Sequence, residues 1–348
     1  MTHATSTRPT ICLVVGLALF AAPSFGSAKS ICVSQTYAPA IEKLSSGLPG
    51  LVVVSFSTLQ DLLAKAAACR AIVGLYLGGS VSMDDVLEAT PDLEWVQSSS
   101  AGVENFLASK RLVMNDVVLS NTRIIQGPEI ADHAMGLLLN LTRDMKFYNE
   151  QMAKGWERAI RLPLIELRGK TALIVGLGGI GTQIAQRAKA FGMRVLAVDP
   201  KDFPLNNVVE KVVKPDDLDT MLPQADVVFS SVPLTAASRG MFGKDQFSAM
   251  KEGVYFINVS RGGVVDTDAL VAALESGKVR AAGLDVTDPE PLPDGHPLWS
   301  MENVTITPHI ATVSDQLESR RTALFEENVA RFLSGRPLLN VVDKSKGY

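Results

Sequence analysis

The chain has 348 residues, of which 47% are hydrophobic and 20% are charged. This composition allows a large buried core and excludes a chain that is disordered along its length. The formal net charge is −4, and no local cluster of Lys and Arg offsets it, so nucleic acid is not expected as a partner. At about 150 residues per domain, the length favours two domains.

The first 28 residues have the three parts of a secretory signal peptide. Residues 1–10 carry one Arg and no acid, residues 11–22 are apolar or glycine throughout, and small residues precede a cleavage site after Ala28. The apolar run of about 12 residues is shorter than the roughly 20 that a membrane-spanning helix needs, so we expect no stable membrane anchor. We predict an exported, periplasmic protein; a cytoplasmic chain is the alternative.

The cysteines divide between this leader and the rest of the chain. Cys12 would be removed with the leader, whereas Cys32 and Cys69 each lie at the start of an apolar run. The two could pair in an oxidising compartment. Because buried free thiols are common, we favour two free thiols over a disulfide.

Short apolar runs predict an alternation of strands and helices in the first part of the chain. The predicted strands are residues 31–34, 51–55, 71–76, 93–97 and 117–120, and helical patterns include residues 58–68 and 83–89. Strands that alternate with helices indicate a parallel, doubly wound sheet.

A long apolar helix from Pro128 to Leu141 is predicted to lead into a second part with the same alternation. Its predicted strands are residues 171–175, 194–199, 226–230, 254–259, 281–285 and 304–307, its predicted helices are residues 180–191 and 267–276, and an amphipathic helix over residues 314–333 closes the chain. The predicted fold class is therefore α/β, with two doubly wound parallel-sheet domains.

A glycine-rich turn follows the first strand of this second part. Gly176, Gly178 and Gly181 have the G-x-G-x-x-G spacing of a dinucleotide site, and Gly179 and Ile180 open the next helix. Gly176 permits the tight turn, Gly178 lets the backbone approach a pyrophosphate, and Gly181 lets helix and strand pack closely. The free N–H groups at the start of the helix would face the phosphates.

An acidic residue follows the glycine-rich turn at the spacing expected for a ribose-binding acid in a dinucleotide site. Asp199 lies 18 residues after Gly181 and ends the next predicted strand, where its carboxylate can accept hydrogen bonds from the adenosine ribose. A 2′-phosphate would be repelled there, so we predict NAD rather than NADP as the cofactor. Lys201, two residues later, argues mildly in the opposite direction.

Further strands of the second part end in residues that we assign to the same groove, because ligands lie at the carboxyl ends of strands in such sheets. These residues are Val232, Pro233, Val259, Ser260 and Asp285, the last of which can meet the carboxamide of a nicotinamide.

Hydride transfer to a keto acid requires a cation for the carboxylate and the ketone oxygen, and a proton donor. Arg261 suits the first task because a guanidinium binds planar oxygen pairs in a fixed fork. His309 follows the last predicted strand, and Glu290, flanked by two prolines, can orient its imidazole. We interpret His133, on an apolar helix, and His296, in a turn-rich loop, as structural. No metal site is predicted.

The order of these motifs resembles that of the NAD-dependent D-isomer-specific 2-hydroxyacid dehydrogenases, which include glycerate, lactate and phosphoglycerate dehydrogenases and glyoxylate/hydroxypyruvate reductases. The resemblance covers nearly everything after Ile31. Besides the glycine-rich turn it includes residues 100–103, 121–122, 130–133, 233–235, 258–262, 284–286, 289–293, 296–299, 307–311 and 335–343.

The resemblance implies an NAD-binding Rossmann domain (residues 124–311) inserted into a flavodoxin-like substrate-binding domain (residues 29–123 and 312–348). It implies an Arg–Glu–His site, and it implies that backbone N–H groups near Ala101 and Gly102 hold the substrate carboxylate. Ser238, where the family often has Thr, is assigned to the cofactor site. The family further implies a small 2-hydroxy or 2-keto acid substrate, such as glyoxylate, hydroxypyruvate or pyruvate, D stereochemistry and a homodimer.

Two alternatives stay open. A phosphite-type dehydrogenase uses a similar Arg–Glu–His site, whereas formate oxidation usually pairs its His with Gln, so Glu290 argues against formate. A non-catalytic NADH-sensing binding protein shares this fold, and the intact trio and the leader both disfavour it.

Overall fold

The computed structural model describes residues 29–348 except residues 49, 157, 159, 162 and 204–206. The predicted signal peptide lies outside the described residues and stays a prediction. Within the described part of the chain, no helix is both long enough and apolar enough to cross a membrane.

The first half of the molecule is built on a five-stranded parallel sheet. Its strands are β1 (Lys29–Ser34), β2 (Leu51–Phe56), β3 (Ala71–Leu75), β4 (Trp95–Ser98) and β5 (Val118–Ser120). Its helices are α1 (Ala38–Leu44), α2 (Leu59–Lys65), α3 (Met83–Ala89), α4 (Glu104–Leu107) and α5 (Lys110–Met114). The strand order is β2-β1-β3-β4-β5.

Two helices, α6 (Gly127–Thr142) and α7 (Met145–Gln151), lead into the second half, which is built on a seven-stranded parallel sheet. Its strands are β6 (Thr171–Val175), β7 (Arg194–Val198), β8 (Lys211–Val213), β9 (Val227–Ser230), β10 (Val254–Asn258), β11 (Val279–Leu284) and β12 (Val304–Ile306). Its helices are α8 (Gly179–Ala190), α9 (Leu218–Met221), α10 (Lys244–Ala249) and α11 (Thr267–Glu275), and α12 (Leu317–Ser334) follows. The strand order is β12-β11-β10-β9-β6-β7-β8.

These two parallel sheets confirm the predicted fold class. Strands such as β3, β6 and β10 are buried at every position, which explains why they are continuous apolar runs rather than alternating ones. The patterns did not predict α1, α4, α5, α7, α9, α10 or β8, which have three to seven residues each and are too short to show a clear period. Short 3-10 helices occupy Ala66–Ala68, Met152–Lys154, Pro215–Asp217, Leu222–Gln224, Gly262–Val264 and Pro297–Trp299.

Helix α12 returns from the second half and packs on the first. The Asn328 amide donates to Oε1 of Gln97 in β4 at 2.8 Å, and its own oxygen accepts from the backbone N–H of Leu339 at 2.7 Å. On the same side, the Tyr37 hydroxyl donates to Glu318 at 2.8 Å. Burial, together with this hydrogen bond, raises the pKa of Tyr37 to about 12. Residues far apart in the sequence therefore complete the first half.

Our expectation of two free thiols is wrong, because Cys32 and Cys69 form a disulfide. Both side chains are fully buried. Parallel pairing places Cys32 of β1 opposite Ile72 of β3, so Cys69, just before β3, comes within 5.7 Å of Cys32 between Cα atoms. That separation lies inside the range in which two cysteines can be bridged. The sequence did not reveal which strands would be neighbours.

Candidate active site

The predicted site residues of the second half gather at one edge of the seven-stranded sheet. Gly176 follows β6, Asp199 follows β7, Val259 comes just after β10, Asp285 follows β11 and Thr307 follows β12. Because all paired strands of this sheet are parallel, their carboxyl ends lie on the same side.

Two glycines of the glycine-rich turn are required by close packing. Gly176 has φ 92°, a left-handed backbone conformation, and a Cβ there would lie 2.9 Å from backbone atoms of Ser231. A Cβ at Gly181 would lie 1.9 Å from the carbonyl oxygen of Gly176. Both positions hold the start of α8 tightly against the end of β6.

Gly178 differs, because no neighbouring atom of the described residues lies within 4 Å of the position where its Cβ would be. Its φ of −70° is also available to any residue. The protein itself therefore places no demand for glycine there, and the open space next to the N-terminus of the 12-residue helix α8 fits a phosphate group. These residues fit a dinucleotide.

Gly179 has a second task that the sequence did not reveal. A Cβ at this position would lie 3.0 Å from the carbonyl oxygen of Arg123 and 3.0 Å from Cα of Ile124. The segment that leads from the first half to α6 thus crosses directly over the start of α8. Ile180, beside it, is half-buried.

Asp199 is buried, and its carboxylate is held by the backbone. One oxygen accepts from the N–H of Leu177 at 2.8 Å, and the other accepts from the N–H of Lys201 at 2.8 Å. A carboxylate offers about four acceptor positions, so each oxygen retains capacity for a ribose hydroxyl. The acid is therefore fixed beside the glycine-rich turn.

The loops after β9 and β10 contain the other residues that the sequence assigned to the cofactor site. Val232 is half-buried and Pro233 is exposed. Ser238 is buried and donates to the carbonyl oxygen of Pro233 at 2.6 Å. Ser260 is also buried and donates to Oδ1 of Asn258 at 2.7 Å, and Val259 is buried beside it. The hydroxyls of both serines are used inside their loops.

His309 and Glu290 are brought into direct contact. Nδ1 of His309 lies 2.6 Å from Oε1 of Glu290, and both side chains are about two-fifths exposed, at 39% and 42%. The bond to Glu290 uses one ring nitrogen, so Nε2 is left for a proton transfer to a bound molecule. This is the arrangement that the sequence predicted for the pair.

Asp285 holds the turn that presents His309. Its carboxylate accepts from the Thr307 hydroxyl at 2.6 Å and from the N–H groups of Ile310 and Ala311 at 3.0 Å each. The N–H of His309 itself donates to the carbonyl oxygen of Asp285 at 2.8 Å. His309 has φ 54°, which a non-glycine residue adopts at a cost, and this set of bonds maintains it. The sequence did not predict this task for Asp285.

His133 supports the same turn from α6. Its Nε2 lies 2.8 Å from the Thr307 hydroxyl, which already gives its proton to Asp285. Nε2 must therefore be the donor in this bond. His296 accepts at Nδ1 from the N–H of Leu298 at 3.3 Å and caps a short 3-10 helix. Both histidines have structural contacts, as interpreted from the sequence.

Arg261 reaches across to the first half. Its Nε donates to Glu104 at 3.0 Å, and its Nη1 donates to the carbonyl oxygen of Ser260 at 2.7 Å. Its Nη2 lies against Gly102, where a Cβ would come within 1.8 Å of it. Asn121 donates to the carbonyl oxygen of the neighbouring Ala101 at 2.8 Å. The predicted cation therefore touches the predicted carboxylate-binding segment, and Glu104, which the sequence reasoning missed, orients it.

Gly262 joins the Arg261 loop to the Glu290 loop. A Cβ at Gly262 would lie 1.8 Å from the carbonyl oxygen of Thr287, three residues before Glu290. The Arg-Gly-Gly sequence was the only signal for this contact. Within the described residues, no group of three His, Cys, Asp or Glu side chains could hold a metal ion.

Comparison with known proteins shows which protein family this chain is similar to. The family model for the NAD binding domain of D-isomer specific 2-hydroxyacid dehydrogenases matches residues 135–311. The chain is 36% identical over 261 residues to the D-3-phosphoglycerate dehydrogenase of Archaeoglobus fulgidus, which covers 74% of this chain and 49% of that protein. The chain thus spans about half the length of that relative.

Other relatives are matched over more of their length. A hydroxypyruvate reductase of Thermotoga maritima is 37% identical over 239 residues, covering 68% of this chain and 76% of that protein. Among solved structures, a D-isomer specific 2-hydroxyacid dehydrogenase from Xanthobacter autotrophicus Py2, in complex with NADPH and MES, superposes with a TM-score of 0.77 at 27% identity. That alignment covers 92% of this chain and 100% of the other.

Proposed function

Because the chain belongs to the D-isomer specific 2-hydroxyacid dehydrogenase family, we propose that it interconverts a small 2-hydroxy acid and the corresponding 2-keto acid with a nicotinamide cofactor. The substrate class is that of glyoxylate, hydroxypyruvate and pyruvate, with D stereochemistry. The observation that carries the proposal is the pairing of His309 with Glu290 at the sheet edge that also holds the glycine-rich turn.

The two halves of the molecule have different binding roles. We assign residues 124–311 to cofactor binding, and residues 29–123 and 312–348 to substrate binding. The two sheets and the packing of α12 on the first sheet support this division. The substrate then lies beside the contact between Gly102 of the first half and Arg261 of the second.

When bound, the nicotinamide cofactor supplies or accepts the hydride at the substrate carbon. In reduction, the Arg261 guanidinium binds the carboxylate and the ketone oxygen, assisted by the backbone near Ala101 and Gly102. Nε2 of charged His309 gives a proton to the oxygen, and Glu290 at Nδ1 holds the ring in position and stabilises its charge. Oxidation reverses these proton movements.

NAD is proposed as the preferred cofactor. The buried carboxylate of Asp199, fixed by the backbone N–H groups of Leu177 and Lys201, would repel a 2′-phosphate. The Xanthobacter autotrophicus relative was solved with NADPH, and comparing kcat/KM with NADH and with NADPH tests the preference of this chain. A higher kcat/KM with NADPH than with NADH would refute it.

The decisive experiment is a screen of NADH oxidation with glyoxylate, hydroxypyruvate, pyruvate, phenylpyruvate and branched 2-keto acids, together with NAD reduction by phosphite. Replacing His309 by Asn should lower kcat by about 10²- to 10⁴-fold, the usual contribution of acid–base catalysis. Glu290→Gln, which keeps a hydrogen-bonding group but removes the charge, should give a smaller loss. His296→Asn is the matched control.

Three results would count against the proposal. Near-wild-type turnover of His309→Asn would remove His309 from the role of proton donor. Turnover of phosphite alone would favour the phosphite-type alternative. Tight NADH binding without turnover of any acid would favour a binding protein.

We also propose a homodimer that forms through the segment after α7. The side chains of Met152, Trp156 and Ile160 are 76%, 104% and 70% exposed, an apolar group that a second copy could cover. Light scattering of Trp156→Ser should show monomers where the wild type shows dimers. Met114→Ser, which changes another exposed apolar residue on α5, should leave the mass unchanged.

Finally, we propose that the protein is exported and loses its leader after Ala28. The tripartite pattern of residues 1–28 supports this, and so does the Cys32–Cys69 disulfide, since disulfides persist mainly in oxidising compartments. Cell fractionation with sequencing of the mature N-terminus tests it. A cytoplasmic protein that still begins at Met1 would refute it.

A further inference from the structure

The last six residues of the chain form a closed turn rather than a loose tail. The Asp343 carboxylate accepts from the Ser345 hydroxyl at 2.6 Å and forms an ion pair with Nζ of Lys346 at 2.9 Å. The backbone N–H of Gly347 donates to the Asp343 carbonyl oxygen at 2.9 Å, and the N–H of Asp343 donates to a backbone oxygen of Tyr348 at 3.0 Å. The hydrogen bonds from Ser345 and Lys346 hold the pKa of Asp343 well below its usual range.

The turn is anchored to the first half. Nζ of Lys344 donates to the carbonyl oxygens of Leu112, Asn115 and Val117, at 2.8, 2.5 and 3.1 Å, at the end of α5. The N–H of Val342 donates to the carbonyl oxygen of Leu119 in β5 at 2.8 Å. The position of the final residues is thus set by the substrate half of the molecule.

From this anchor the chain end reaches the second half. Nζ of Lys201 lies 5.6 Å from the centre of the Tyr348 ring, within the range of a cation–π contact. A Cβ at Gly347 would lie 3.4 Å from Cγ2 of Thr235, so the backbone of Gly347 lies next to the Thr235 side chain. Lys201 follows Asp199, the proposed ribose acid, and Thr235 follows Val232 and Pro233. The Tyr348 ring therefore lies at the loop after β7, which carries Asp199, and the preceding Gly347 lies at the loop after β9.

We infer that Tyr348 forms part of the binding site for the adenosine half of the dinucleotide, as a residue that the substrate half contributes to the cofactor site. The inference rests on the proposed function, because it requires that the groove binds a dinucleotide. Tyr348 is half-buried, next to an exposed lysine, and so offers an aromatic surface to an adenine. Aromatic side chains bind the faces of bases without needing a specific base edge. The anchored turn fixes the ring before the cofactor arrives.

The test compares the wild type with Tyr348→Ala and Tyr348→Phe, with any affinity tag kept away from the carboxyl terminus. Binding of NADH, ADP-ribose and nicotinamide mononucleotide is measured by calorimetry or fluorescence. Tyr348→Ala should raise Kd for NADH and ADP-ribose by about tenfold, the scale of losing one stacked base. Tyr348→Phe keeps the ring and should stay close to the wild type. Nicotinamide mononucleotide lacks the adenosine, so its Kd should not change.

One further measurement, the thermal midpoint, separates a loss of binding from a loss of folding. The thermal midpoint without ligand should be the same in all three proteins. If the midpoint of Tyr348→Ala is lower, the binding assay is repeated with Tyr348→Leu, which keeps apolar volume but has no ring. Wild-type affinity for ADP-ribose in the Ala or Leu variant, or tighter binding, would overturn the role of Tyr348. A wild type that binds no NADH would instead overturn the proposed function.

Discussion

Gly262→Ala should disable the site without altering any side chain that touches the substrate. The new Cβ would lie 1.8 Å from the Thr287 carbonyl oxygen, 2.0 Å from the Thr287 carbonyl carbon and 2.6 Å from the Asp288 nitrogen. All three are backbone atoms, so no side chain can rotate away. Ordinary contacts begin near 3.4 Å, and the two loops must therefore separate by about 1.6 Å.

This displacement acts on both sides of the reacting centre. Arg261 directly precedes Gly262, and Glu290 lies three residues after Thr287, so the cation and the partner of His309 move apart. A misplacement of about 1 Å in a catalytic geometry can cost roughly 10²-fold in rate, and we expect a fall of about 100-fold in kcat/KM. Unfolding free energy should fall by about 1–3 kcal/mol from overpacking. The Kd for NADH should change less than kcat/KM, because the glycine-rich turn and Asp199 lie on other loops and stay in place.

The neighbouring glycine is the matched control. A Cβ at Gly263 would meet only side-chain atoms, the nearest being those of Arg239, Asp288 and Leu234, at 3.2–3.3 Å. These atoms can shift, so Gly263→Ala should stay within about twofold of the wild type in kcat/KM. The assay is steady-state reduction of the preferred keto acid, with urea unfolding of each variant. Equal kinetic losses at the two positions, or wild-type kcat/KM in Gly262→Ala, would refute the reasoning.

Three other changes follow from the site and the core. Asp285→Asn replaces one acceptor oxygen by a donor that faces other donors, so urea unfolding should show a loss of about 1–3 kcal/mol and kinetics a lower kcat; unchanged stability would contradict this. Glu104→Ala removes the partner of Arg261, and we expect kcat/KM for the keto acid to fall about tenfold while NADH binding is retained; a parallel loss of NADH binding would argue against a role in orienting Arg261. Replacing Cys32 and Cys69 together by Ala should lower the unfolding free energy by about 2–5 kcal/mol. A thiol assay on the denatured, unreduced chain without its leader should find no free thiol, and two free thiols would exclude the bridge.

The long, buried elements and the site residues at the carboxyl ends of the seven-stranded sheet could be predicted from the sequence, and the reason is physical. Parallel strands buried on both faces are uninterrupted apolar runs, and ligand-binding residues follow them directly in the chain. Asp199, Arg261, Asp285 and His309 were therefore identifiable one strand at a time. The contact of His309 with Glu290 needed only a chemical argument about which groups could pair.

The features that could not be predicted from the sequence are contacts between segments that are far apart in the chain. Glu104 meets Arg261 across 157 positions, and nothing local in α4 marks it as a partner for a cation. The pairing of β1 with β3 decided whether Cys32 could reach Cys69, and strand order is not written in either segment. Tyr348 belongs to none of the sequence motifs, and the bonds of Lys344 to the end of α5 give its segment a fixed place.

The hydrogen bond between Asn328 and Gln97 also sets an order of events during synthesis. The two residues are 231 positions apart, so the buried amide of Gln97 must wait for α12 before it gains this partner. The seven-stranded sheet, by contrast, consists of one continuous stretch and can form while the first half is still incomplete. Cys32 and Cys69 are only 37 positions apart, so their bridge can close early and hold the unfinished sheet together. In a chain truncated before residue 328, the first half should therefore contain the disulfide but remain incompletely folded. Proteases should cleave this half, while the second half stays folded and resistant.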